Sequence, residues 1–116
     1  MRTEFEAFVD LYGILDRSWV GRCPMEPHEH CLMTGVNEAA TGRAAPERYP
    51  QTPDELGLVS AMCSRLVSVT GAHNLAGWSD GASKGEVLDA VAACVEGASP
   101  VPWPRADLET RKAVLI

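Results

Sequence analysis

Two cysteines and two histidines fall within nine residues of this chain, in the run Cys23-Pro-Met-Glu-Pro-His28-Glu-His30-Cys31. Thiolates and imidazoles are the preferred ligands of tetrahedral zinc, so Cys23, His28, His30 and Cys31 are a candidate metal set. The spacing argues against it. Structural zinc sites draw ligand pairs from two separated segments, and the adjacent His30 and Cys31 can both coordinate only if the backbone turns sharply between them. Without a metal, the same residues read as a surface loop with two solvated histidines and two cysteines turned inward.

A reactive thiol is the second chemistry these residues offer. If a helix starts near His30, Cys31 lies in its first turn, where free N–H groups and the macrodipole favour a thiolate. His28 or His30 would then be the base, with His73 or Asp80 supplied by another loop. Cysteine with histidine is the minimum inventory for covalent catalysis, yet no recognised local signature surrounds this pair. Cys63 and Cys94 fall on apolar helix faces and are expected in the core. A third feature is the run Gly77-Trp78-Ser79-Asp80-Gly81-Ala82-Ser83. Asp80 as a general base or metal ligand lacks a second acid or an evident partner histidine. A structural lock fits better, with Asp80 accepting N–H groups in a tight turn and Trp78 packed beneath it. Phosphate-binding and dinucleotide-binding glycine motifs are absent.

These residues must be positioned by helices. Thr3 and Glu6 have the spacing of a capping box, and Phe5, Phe8, Tyr12 and Leu15 recur at helical steps, so residues 3–17 are a predicted first helix. Residues 18–29 contain two prolines and a glycine and read as a loop. A second helix is predicted from about His30 to Thr41, stopped by Gly42. Its Gly35 costs roughly 1 kcal/mol relative to alanine, which makes sense if another backbone packs closely there. Thr52-Pro53-Asp54-Glu55 opens a third helix that ends at Gly71. Its apolar arc covers about half the circumference, which predicts a central helix buried against more than one neighbour. The loop AHNLAGWSDGA leads to a fourth helix from Ser83 to about Gly97, with Ser83 and Glu86 as another capping box. The remaining residues, ASPVPWPRADLETRKAVLI, are too proline-rich to continue it.

The chain has 116 residues, a net charge of −6, 46% hydrophobic and 22% charged residues. That is the size and balance of one globular domain. No basic run exceeds a pair, so the sequence carries no electrostatic footprint for nucleic acid or anionic membrane. No apolar stretch approaches the ~20 residues of a membrane span. The N-terminus lacks the order of a signal peptide, so the cytoplasm is the expected compartment, with reduced cysteines.

Trp19 followed by Cys31-Leu-Met-Thr-Gly35, and then Trp78-Ser-Asp80 leading to Glu86-Val-Leu88, resembles a small helical domain family of actinobacteria and their phages. Members carry a tryptophan-bearing loop after the first helix, a Cys-Leu-Gly-Ala-like helix start, and a Trp-Asn-Asp turn before Glu-Val-Leu. The match covers roughly residues 4–97. It departs at Ser79, where the family favours asparagine, and at Met33-Thr34, where it prefers small residues. His28 and His30 are not part of the pattern. The resemblance implies a helical fold and an actinobacterial or phage origin, but no activity, because the family has no assigned function.

The expected fold is mainly α: a compact four-helix domain over residues 1–98, with long structured loops, and a proline-rich C-terminal strap over 99–116 docked on the domain or on a partner. The expected function is a non-enzymatic interaction module, phage-encoded in origin, that binds a host or partner protein or self-associates. Its partner-binding candidates are Trp103, Leu108, Val114, Leu115 and Ile116. The alternatives are a zinc-stabilised binding domain built on Cys23–Cys31, or a small enzyme with a Cys31 nucleophile.

Overall fold

In the computed structural model, residues 2–21, 29–44 and 47–98 are described. They form five α-helices: α1 (Glu4–Ser18), α2 (Leu32–Thr41), α3 (Pro53–Thr70), α4 (Leu75–Gly81) and α5 (Lys84–Ala98). Local side chains set most helix ends. At α1, the Thr3 hydroxyl accepts from the Glu6 N–H at 3.1 Å and the Glu6 carboxylate accepts from the Thr3 N–H at 3.0 Å. That backbone hydrogen bond from Thr3 holds the Glu6 carboxyl below its usual range. Ser83 and Glu86 repeat the arrangement at α5. Gly42 and Gly71 terminate α2 and α3 in the left-handed region, with φ of 73° and 72°, a conformation that costs glycine nothing.

The predicted four helices become five because the Trp78 run is itself helical. Asn74 caps α4 by accepting from the Gly77 N–H at 3.2 Å. Glycine at two of its seven positions makes this a poor helix by propensity. Leu75 is buried and Trp78 is packed on the core, so tertiary contacts stabilise what the local sequence does not. Asp80 and Gly81 therefore lie within a helix rather than in a tight turn.

The central helix is also not the one expected. On α3 only Leu58, Met62 and Leu66 are buried. On α1, by contrast, Ala7, Phe8, Val9, Leu11, Tyr12, Gly13, Ile14 and Leu15 are all buried. Helices α2 and α5 pack along α1, α3 lies against both, and α4 closes the gap between α2 and α3. Apolar periodicity reports which face of a helix can be buried, not how many neighbours arrive to bury it. The strap expected over 99–116 lies outside the described residues. Among those described, no helix is long and apolar enough to cross a membrane.

Gly35 is where α2 meets α1. A Cβ at this position would lie 2.9 Å from both Leu11 Cδ1 and Leu15 Cδ2. Both leucines are fully buried, so neither can swing into solvent. What packs closely against Gly35 is thus a pair of leucine side chains, not the backbone expected from the sequence. Alanine here gains roughly 1 kcal/mol of helix propensity but overpacks the core, which typically costs about 1–3 kcal/mol. Gly35→Ala is expected to lower stability by about 1 kcal/mol net in urea unfolding; an unchanged midpoint would mean that the two leucines rearrange freely.

Arg43 organises the connection between α2 and α3. Its guanidinium donates to the Glu47 carbonyl at 2.7 Å, the Tyr49 carbonyl at 3.0 Å and both oxygens of Glu55. Glu55 also accepts from the Gln51 N–H at 2.9 Å. The Arg43 guanidinium first, then the Gln51 N–H, pull the Glu55 carboxyl down to about 2. Since its folded pKa lies below the unfolded one, this carboxylate stabilises the fold above about pH 4.5, and the contribution fades as pH falls towards 2. Glu55→Gln is thus expected to lower the urea midpoint at pH 7, with the gap from the wild type closing by pH 2. A gap that is constant across this range would rule out the ion pair as its origin.

Candidate functional site

The described residues bring together a serine, an imidazole and a carboxylate. Ser18 is the last residue of α1, and its hydroxyl lies 2.6 Å from the Ile14 carbonyl and 2.6 Å from His30 Nδ1. On the other side of the ring, His30 Nε2 lies 3.0 Å from Glu38 Oε1 of α2. The backbone holds His30 in place as well: its N–H donates to the Ser18 carbonyl at 2.9 Å, and its carbonyl accepts from the Val20 N–H at 2.8 Å. This short parallel bridge, formed by Trp19 and His30, returns the chain to the end of α1 just before α2 begins. His30 is only 5% exposed.

The order hydroxyl–imidazole–carboxylate is that of a nucleophilic triad. The surroundings favour a structural tie instead. The Ser18 hydroxyl donates its one proton to the Ile14 carbonyl of its own helix. The adjacent cleft, about 320 Å³, is lined by Arg2, Asp10, Ile14, Arg17, Glu38, Gly42 and Ala44. A molecule in it meets the Glu38 carboxylate and two guanidiniums, while Ser18 and His30 are not among its lining residues. Within the cleft Arg2 is already paired with Asp10 and donates to the Ala39 carbonyl at 3.0 Å.

Two of the four candidate ligands, His30 and Cys31, are among the described residues. Both ring nitrogens of His30 lie within hydrogen-bond distance of a side chain, Nδ1 of Ser18 and Nε2 of Glu38. Cys31 is the N-cap of α2 rather than a residue of its first turn. Its N–H donates to the Thr34 hydroxyl at 3.0 Å, and that hydroxyl lies 3.7 Å from its sulfur. The His30 ring lies between Ser18 and Glu38. Cys23 and His28 lie outside the described residues, as do Trp103, Leu108, Val114, Leu115 and Ile116. Among the described residues, no group of three or more His, Cys, Asp or Glu side chains is placed to hold a metal ion. Asp80 and His73 are exposed on or near α4. Burial pushes the Cys94 thiol up to about 12, and Cys63, half-buried, is raised for the same reason.

A second feature lies on α3. Leu56 and Val67 are 57% and 41% exposed on one side of α3, whereas Val69, 42% exposed, lies about 200° around the helix from Val67, past the end of the buried stripe. The other exposed positions from Leu56 to Val69 are Gly57, Ser60, Ala61, Ser64 and Ser68. Beside Val67, an open groove of about 530 Å³ is lined by Met33, Val67, His73, Asn74, Leu75 and Ala76. Sequence reasoning assigned the apolar arc of α3 to the core and so missed this surface. Ser18 and Glu38 were missed for a different reason: no local spacing relates them, and only the returning loop joins them through His30.

No protein-family model, no curated protein and no solved structure matches this chain.

If His30 is a tie, removing it should act on stability. Each buried polar group left without its partner costs about 1–3 kcal/mol. His30→Leu is expected to lower unfolding free energy by that order and to speed amide exchange at Val20. Wild-type stability and unchanged exchange at Val20 would remove the tie.

Proposed function

We propose that this protein is a non-enzymatic interaction module that self-associates through the outer face of α3. The observation that carries the reading is an exposed helical face without charge on an acidic chain. From Leu56 to Val69 the only charged residue is Arg65, which pairs with Glu4 of α1. Every exposed side chain along that stretch is apolar, a serine or a glycine. Two copies of a chain with net charge −6 repel at most orientations, and a charge-free face lets them meet without opposing like charges. Small residues between Leu56 and Val67 also allow two helices to approach closely. A partner of different sequence is the competing occupant of the same face.

The test is a charge placed on that face. Leu56→Lys with Val67→Lys changes exposed positions, so stability should stay within about 0.5 kcal/mol per site. Sedimentation equilibrium should show a wild-type dimer and a monomeric variant. A wild-type chain that remains monomeric at the highest soluble concentration overturns self-association.

A further inference from the structure

Leu56 and Val67 stand eleven residues apart on α3. Eleven steps of ~100° return to within about 20° of the starting direction and climb roughly 16 Å, so the two lie on one line along the helix. Arg65, about 200° around from Val67, lies against Gly97 of α5. The line therefore runs along the side of α3 turned towards α2 and α4, not along the side held by α5.

Its two ends differ in shape. Leu56 projects: at 57% it is the most exposed large apolar side chain among the described residues. Val67 is shorter, and beside it opens the groove formed by Met33 of α2, by Leu75 and Ala76 of α4, and by His73 and Asn74 before them. One helix thus carries both a projection and a recess. Midway between them the line shows Ser60 and Ser64, with Cys63 half-buried alongside. Side chains this small let two helix axes come to about 8 Å. A helical serine covered by a neighbour also keeps an acceptor, the carbonyl four residues back.

A two-fold pair is self-complementary: where residue i of one copy meets residue j of the other, j also meets i. Antiparallel α3 helices place the projection of each copy at the recess of the other, so both ends match. Parallel helices set Leu56 against Leu56 and recess against recess. They also bring together the acidic first turns, Asp54 and Glu55, of two chains of net charge −6. In the antiparallel pair those turns lie roughly 22 Å apart along the axis, which avoids the like-charge opposition.

We infer that the self-association proposed above, on which this inference rests, takes the form of a two-fold dimer of antiparallel α3 helices. Leu56 of each copy enters the groove beside Val67 of the other.

Charge exchange tests the register, with Leu56→Glu and Val67→Lys made in separate full-length chains. Either variant alone carries a mismatch at both ends of its dimer, so sedimentation equilibrium should show at least about tenfold weaker dimerisation than the wild type. In an equimolar mixture the antiparallel heterodimer sets the new carboxylate against the new ammonium at one end. Native leucine meets native valine at the other, and the dissociation constant should return to within about fivefold of the wild type. A dimeric wild type with a mixture as weak as the separate variants overturns the register and leaves self-association standing. Variants that dimerise as tightly as the wild type overturn it as well. A monomeric wild type overturns self-association and this pairing with it. Should either variant lose its helicity, the wild type serves instead, half of it isotope-labelled. NOEs between copies should join the Leu56 and Val67 methyl groups, and NOEs joining Leu56 to Leu56 overturn the antiparallel pair.

Discussion

The contact between α1 and α2 at Gly35 governs the arrangement of the rest. Leu11 and Leu15 occupy the space that a Cβ at position 35 would need. With α2 seated this deeply, its N-terminus comes beside the end of α1, where His30 reaches Ser18. Its C-terminus comes beside the start of α1, where Arg2 reaches the Ala39 carbonyl. Leu32, Val36 and Ala39 then join Phe8, Tyr12 and Leu15 in one apolar cluster. Glycine weakens α2 as an isolated helix, yet the burial that the close approach permits outweighs that loss in the folded domain.

Polar side chains at the rim of the core tie successive elements together. His30 links the return of the first loop to both α1 and α2. Arg43 gathers the Glu47 and Tyr49 carbonyls and the Glu55 carboxylate, which ties the end of α2 to the start of α3. Lys84 at the start of α5 donates to the Asp16 carbonyl near the end of α1 at 2.6 Å. At the other end of the same pair, Arg65 and Glu4 join α3 to α1, with Gly97 of α5 against the guanidinium. Each tie sits at a helix end, where backbone groups lack intrahelical partners and a short side-chain bridge has most effect.

The outer face of α3 is apolar surface left in water, and association would remove it.

Much of the secondary structure was legible in the residues. Thr3 with Glu6, and Ser83 with Glu86, are capping boxes because their side chains reach backbone N–H groups three residues away, within a single turn. Thr52 caps α3 in the same way, although Glu55 turns from the box to Arg43. Gly42 and Gly71 stop helices through a backbone freedom that belongs to glycine itself. Such interactions are local, and local sequence carries them. What tertiary structure alone decided is non-local: that α1 rather than α3 lies at the centre, that the seven-residue α4 forms at all, and that Ser18, His30 and Glu38 converge. The physical reason is the same in each case. Helical periodicity specifies which face is apolar, but burial depends on which other segments arrive, and those contacts join residues whose separation along the chain holds no period to read.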